Sequence, residues 1–474
     1  MLAQTKFIQS LASQNSSRAA EATKFRQQQA TSDYIRNGRP ATRTGLPVVI
    51  YHPVFGQFLS NLQSTDPISP TTYFQTVEYL TISQKIYETE NREPSNESGQ
   101  SEQQSDARYQ ASRGILASLL GSFLSKSPVQ GTQPDGLVLG HNDSCLIIVE
   151  MKDEIGSRES DPLIQAAQSY SRYWSGSHQV RGLFNKCCCP SILVATAGPW
   201  MTILGAVFLD RPVVQPLTDL LWIGHDPARP SQLAYITRVF HCASLALQSL
   251  TEFYRDVPIP RDNLSRFFPY VTHYTDASGR LVEFTYLKSL SETYPADGTS
   301  IFLAETQNLD PPKQIVVKFV QTYNAEAHEL LAKHGLAPVL LYDGNAHPQD
   351  QPGPDHTMVV MEFLHGTDLS KFKDPLPRRI VTDIHKALEH LHEHDFVFGD
   401  LRNPNVMIMK DSRGAATGVQ LIDFDWCGRH QVGRYPLSMN PDVDWAEGVG
   451  PGALMYKSHD IDMLEKLKLS VVVS

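Results

Sequence analysis

One short stretch limits the fold more than any other. It is Phe398-Gly399-Asp400-Leu401-Arg402-Asn403-Pro404-Asn405, followed by the apolar run Val406–Met409, a polar turn, and Val419-Gln420-Leu421-Ile422-Asp423-Phe424-Asp425. An Asp and an Asn stand five residues apart, and the alternation after them reads as a hairpin that ends on a further Asp. Gathered together, such oxygen donors suit a hard divalent cation such as Mg²⁺.

Upstream residues arrive in a matching order. Ile315-Val316-Val317-Lys318 is a strand ending in a lysine, and eight residues later Glu326 opens the helical stretch Ala325–Leu331. Met361-Glu362-Phe363-Leu364 follows a buried strand, and Asp460 lies in His459-Asp460-Ile461-Asp462. Taken singly, Lys318 is a strand-end surface lysine and Glu326 a first-turn acid favoured by the helix dipole. In this order they resemble the protein-kinase fold.

The resemblance implies ATP and Mg²⁺ as cofactors and a role for each residue. Lys318 pairs with the nucleotide phosphates and with Glu326, Asn405 and Asp423 hold Mg²⁺, Asp400 takes the acceptor proton, Arg402 belongs to the same loop, and Glu362 lies at the hinge. Asp460 is similar to the acid that anchors the catalytic-loop backbone. Departures bear on the substrate. Phe398-Gly399 replaces the usual His-Arg, so switching through an activation-loop phosphate is not expected, and a Gly before the Asp is similar to aminoglycoside-phosphotransferase-like kinases. Glu292–Gly298 offers one glycine, Gly298, to cover the phosphates. Only 14 residues follow Asp460, which implies a shortened C-terminal lobe or an incomplete one.

The first half carries a second constellation. Pro134-Asp135 starts one strand, and Glu150-Met151-Lys152 ends its hairpin partner Cys145–Lys152. Alternation puts Glu150 and Lys152 on one face. Asp135 and Glu150 could hold Mg²⁺ while Lys152 orients a water, chemistry suited to phosphodiester cleavage. The bland reading is a same-face charge pair on a surface hairpin. The pattern resembles the PD-(D/E)xK nuclease superfamily, which implies a nucleic-acid partner, with Gln165 on the following helix and Glu90 as an upstream acid.

The two halves together resemble the fungal kinase-like family and the Crinkler-type nuclease–kinase fusions. The expected fold is α+β in two domains, a nuclease-like α/β domain and a bilobal kinase-like one. The boundaries are a polar tail over 1–45, the first domain over 46–256, a linker over 257–280 and the second domain over 281–474. Residues 92–113, almost without apolar side chains, read as a mobile loop.

Composition closes off other classes. Over 474 residues, 41 Lys+Arg against 51 Asp+Glu give a net charge of −10, and 41% hydrophobic residues exclude a mostly disordered chain. The acidity argues against a surface given over wholly to nucleic acid. Six Cys, three of them adjacent at 187–189, form no disulfide framework and point to a reducing, intracellular setting, cytoplasmic or nuclear. Ser191–Leu209 is apolar enough for a membrane span, but Gly198-Pro199 in its middle reads as a turn between two buried strands, so no membrane partner is expected. The leading function is a phosphotransferase acting on protein Ser/Thr. The alternatives are an Mg²⁺-dependent endonuclease with a nucleotide-sensing kinase fold, and a scaffold in which both sites only bind.

Overall fold

The computed structural model describes residues 2–11, 15–86, 110–125, 132–156, 160–176, 180–257, 264–291, 300–372 and 376–470. The chain divides into two compact units, Met1–Val271 and Thr272–Ser474.

In the first unit, β1 (Gly136–Leu139) pairs antiparallel with β2 (Cys145–Lys152), and β2 runs parallel to β3 (Ser191–Ala197). The helix Pro162–Gly176 links that parallel pair, as a parallel connection requires. The sheet continues antiparallel through β4 (Trp200–Phe208) to β5 (Pro212–Pro216), and β6 (Leu221–Trp222) also pairs with β4. All eight side chains of β2 are buried. Side chains alternate, so both faces of the strand are covered, and the helices Pro162–Gly176 and Pro230–Arg255 both pack on it. The apolar stretch Ser191–Leu209 is indeed two strands, joined at Gly198. Its φ of +53° suits glycine, and a Cβ there would meet the Glu154 carboxylate at 2.5 Å. Among the described residues no helix is long and apolar enough to cross a membrane.

Three expectations are corrected here. Residues 2–45 are not a loose polar tail: Phe7, Leu11, Phe25 and Ile35 are buried, and Arg36 forms an ion pair with Asp210. Gln, Ser, Thr and Arg are frequent here, yet a few well-spaced apolar residues are enough to dock short helices. The expected loop over 92–113 ends early, since a helix covers 110–120, while 92–109 lie outside the described residues. The linker is shorter as well. Phe268 to Val271 belong with the first unit, where the Tyr270 N–H donates to the Ile50 carbonyl, and β7 (His273–Thr275) already joins the second unit's sheet.

The second unit opens with an antiparallel sheet in the order β11-β12-β10-β9-β8-β7, made with β8 (Leu281–Ser289), β9 (Ser300–Thr306), β10 (Gln314–Val320), β11 (Leu340–Asp343) and β12 (Thr357–Glu362). The helix Ala325–Lys333 stands between β10 and β11, capped by the Asn324 side chain on the Ala327 N–H. Beyond it, the strongly amphipathic helix Arg378–Glu393 buries Ile380, Ile384, Ala387, Leu388 and Leu391. This face packs with β16 (Ala416–Leu421) and with the helix Lys457–Ser470. A small sheet, β13 (Gly366–Asp368), β15 (Val406–Lys410) and β16, carries the hairpin that the sequence predicts, and β14 (Phe396–Val397) pairs with β17 (Gly428–Arg429).

Candidate active site

The loop 398–405 is held from behind by one buried carboxylate. Asp460 accepts from the Phe398 N–H at 2.8 Å and the Gly399 N–H at 2.9 Å, and from His392 Nε2 at 2.9 Å. Gly399 sits at φ +80°, and a Cβ there would lie 3.2 Å from Met455 Cε, so the turn into Asp400 requires glycine. Asp400 is then buried and clamped. Arg402 engages both its oxygens in a fork, with Nη2 at 2.6 Å from Oδ2, and Asn405 Nδ2 donates to Oδ2 at 2.8 Å. Burial pushes the Asp400 carboxyl up, and Arg402 opposes that shift. The Arg402 guanidinium also lies 5.5 Å from the Trp445 ring and 5.9 Å from the Trp426 ring.

The second acidic position comes from the end of the hairpin. The Ile422 N–H donates to the Asn405 carbonyl at 3.0 Å, which sets Asp423 beside the loop. Asp423 has φ +73°, an uncommon conformation for a residue with a Cβ and one that concentrates at functional sites. It meets Lys318 from β10, Nζ to Oδ1 at 2.7 Å, and Asp425 meets the same ammonium at 2.5 Å. Lys318 is 3% exposed. Burial alone would depress its ammonium, but the two carboxylates outweigh it and hold Lys318 above its ordinary value. Burial also raises carboxyls. At Asp423, which keeps 30% of its side-chain exposure, Lys318 wins and the carboxyl is held low. Asp425 meets the same ammonium from a more buried position, with 13% of its side-chain exposure.

Lys318, Asn405 and Asp423 border one cleft of about 390 Å³, with Ile301, Val316 and Met361 above and Met407 and Ile422 below. Glu362 is exposed at the rim of this cleft. Its own N–H is already bonded to the Val339 carbonyl, and that of Phe363 to Gln314.

Glu326 departs from expectation. It is 69% exposed and pairs with Arg429 at 2.7 Å, not with Lys318. The reason is geometric. The inward face of the helix Ala325–Lys333 carries Ala327, His328 and Leu331, while Glu326 and Glu329 lie on the exposed face. His328 stacks on Phe424 with ring centroids 4.7 Å apart. Burial lowers its imidazole to about 4, so it is neutral, with Nε2–H donating to the Pro338 carbonyl and Nδ1 accepting from the Tyr323 hydroxyl. Gly298 and Glu90 lie outside the described residues.

In the first unit, Glu150 is fully buried, so the bland reading of a charge pair on a surface hairpin does not hold. Gln165 Nε2 donates to one of its oxygens and the Ser169 hydroxyl to the other, each at 2.6 Å. Asp135 accepts from the Met151 N–H at 2.8 Å. Burial, then the Asp135 charge, push the Glu150 carboxyl up to about 8, against the smaller opposing effects of Ser169, Lys152 and Gln165. Lys152 borders a separate cleft of about 330 Å³ with Trp200, Asp161 and Leu163. Among the described residues no group of three or more His, Cys, Asp or Glu side chains converges as a metal site. The six Cys are free and buried.

Set beside known proteins, the chain matches no protein-family model. It is 24% identical over 191 residues to the serine/threonine-protein kinase fray1 of Dictyostelium discoideum, covering 36% of this chain and 30% of that protein. A solved structure, the Cydia pomonella Granulovirus kinase PK-1, aligns over 32% of this chain and 57% of its own at 18% identity, with a TM-score of 0.25. The chain thus spans under a third of the length of the curated relative it matches, and the similarity is a weak kinase-like relationship.

Proposed function

We propose that residues 272–474 form an ATP- and Mg²⁺-dependent phosphotransferase that acts on protein Ser/Thr. The observation that carries this reading is the single cleft in which Lys318, Asn405 and Asp423 meet, beside an Asp400 whose loop is anchored by Asp460. The apolar walls suit a flat base, and Lys318 lies deep enough to reach the phosphates. Asn405 and Asp423 offer an amide and a carboxylate oxygen, the hard donors Mg²⁺ takes. Two protein donors suffice, since this ion usually completes its shell with phosphate oxygens and water. Bound there, Mg²⁺ neutralises charge on the phosphates.

Arg402 must yield one Asp400 oxygen before an acceptor hydroxyl can approach. That hydroxyl then attacks the γ-phosphorus, the bond to ADP breaks, and its proton passes to Asp400. The test is transfer of labelled γ-phosphate from ATP to a mixed protein substrate. Asp400→Asn is expected to lower transfer at least 10²-fold, the scale of a lost general base. Equal labelling by both proteins would remove Asp400 from the chemistry.

For the first unit we keep the PD-(D/E)xK resemblance as a fold reading, with nucleic acid as its partner class. The cleft of about 330 Å³ at Lys152 and Trp200 supports binding, and Glu150 lies buried against Gln165 and Ser169. The order of the two units is what favours the fungal kinase-like and Crinkler-type relationship, and free thiols suit an intracellular setting.

A further inference from the structure

We propose that Asp425, rather than an acid on the helix Ala325–Lys333, is the residue that orients Lys318 for nucleotide binding. The proposal rests on the phosphotransferase reading above and names a positioning residue within the same site.

Three observations carry it. Asp425 Oδ1 lies 2.5 Å from Lys318 Nζ, in a position where few other partners can reach a lysine that is 3% exposed. Asp425 is itself held in place. Its carbonyl accepts from the Thr322 hydroxyl at 3.0 Å, and Asn324 on either side binds the Phe424 and Cys427 carbonyls. These bonds tie 424–427 to the turn that leaves β10, so the lysine and its partner share one rigid support.

The third observation is that the helix offers no competing acid. Glu326 and Glu329 are on the exposed face, and His328 fills the inward position against Phe424. The Arg429 that holds Glu326 is itself fixed, donating to the His394 carbonyl at 2.8 Å and lying 4.0 Å from the Phe396 ring.

Two acids on one lysine also have a chemical use. Asp423 is the residue with the exposure to serve a cation, and a carboxylate drawn toward a cation holds an ammonium less firmly. Asp425 is then the carboxylate that keeps Lys318 in place. Asp-Phe-Asp thus supplies both carboxyls from the short loop that follows β16, with the turn at Asp423, φ +73°, between them and the strand.

The experiment compares the full-length wild type, Asp425→Asn, Asp425→Glu and Glu326→Gln by calorimetric titration with ATP, with and without Mg²⁺, and by the KM and kcat of phosphate transfer. Asp425→Asn is expected to weaken ATP binding at least tenfold even without Mg²⁺, which separates positioning of Lys318 from metal ligation. Asp425→Glu should recover most of that loss, and Glu326→Gln should stay within twofold of wild type. ATP binding within twofold of wild type for Asp425→Asn overturns the assignment. So does a tenfold loss in Glu326→Gln, a result that stands even if Asp425→Asn fails to fold. A wild-type chain that binds no ATP overturns the phosphotransferase reading itself, and the assignment with it.

Discussion

Replacing Asp460 by Ala is expected to cost the second unit about 3–9 kcal/mol and to lower phosphate transfer by 10² or more. The carboxylate satisfies the Phe398 and Gly399 N–H groups and His392, and it is 1% exposed. Each buried donor left without an acceptor costs about 1–3 kcal/mol. A domain of ordinary stability, about 5–15 kcal/mol, has little to spare. The catalytic loss comes from position rather than chemistry, since Asp460 touches neither cofactor nor acceptor. Gly399 turns the chain straight into Asp400, and a displacement of about 1 Å there is enough for a 10²-fold effect. Asp460→Asn keeps the shape and one acceptor, so it should lose roughly half as much stability. Denaturant unfolding of the variants checks the first expectation, and single-turnover transfer in the folded fraction checks the second. Unchanged unfolding midpoints in Asp460→Ala would show that the loop is held by something else.

The second large effect is a pH dependence in the first unit. Glu150 has its carboxyl pushed up to about 8 in the folded protein, against an ordinary value of 4.5. Between those values the folded unit keeps a proton that the unfolded chain has released. The folded state therefore binds more protons, and stability must fall as pH rises, by up to about 1.4 kcal/mol per pH unit between about 4.5 and about 8. Above that window both states are ionised and the penalty is constant. Glu150→Gln removes the titration while leaving an oxygen and an amide to meet Ser169 and Gln165. The variant should accordingly gain on wild type as pH rises from 5 to 8, by about 1–4 kcal/mol. Melting curves of both proteins across that range decide the matter. A difference that does not vary with pH would place the Glu150 proton elsewhere.

Much of the second unit is legible in the sequence because its signals are local. The hairpin Val406–Leu421 alternates, the helix Arg378–Glu393 has a clear apolar stripe, and glycine at 399 marks a turn that only a φ near +80° allows. Lys318 and Asp423 are 105 residues apart, yet the order of elements around them is enough to anticipate their meeting. Glu326 is misjudged because its role depends on which face of a two-turn helix turns inward. That is decided by His328 packing on Phe424 and not by the spacing from Lys318. Asp425 is visible in the Asp-Phe-Asp motif, but its pairing with Lys318 depends on the Thr322 and Asn324 bonds that no local pattern announces.

In the first unit, the strand Cys145–Lys152 is plain from its run of apolar residues, while the depth of Glu150 is not. Its burial follows from docking of the helix Pro162–Gly176, whose Gln165 and Ser169 supply the donors that make a buried carboxyl tolerable. The N-terminal segment is misread for a related reason. Composition averages over its length, whereas docking depends on a handful of side chains such as Phe7, Phe25 and Ile35.

Calorimetric titration of ATP into the full-length protein, with and without Mg²⁺, and into Asp423→Asn and Asn405→Ala, addresses the paired oxygen donors themselves. Mg²⁺ is expected to tighten ATP binding at least tenfold in the wild type and by less than threefold in either variant. Affinity that ignores Mg²⁺ in the wild type, or that responds to it equally in all three proteins, would contradict a cation held between Asn405 and Asp423 against the phosphates.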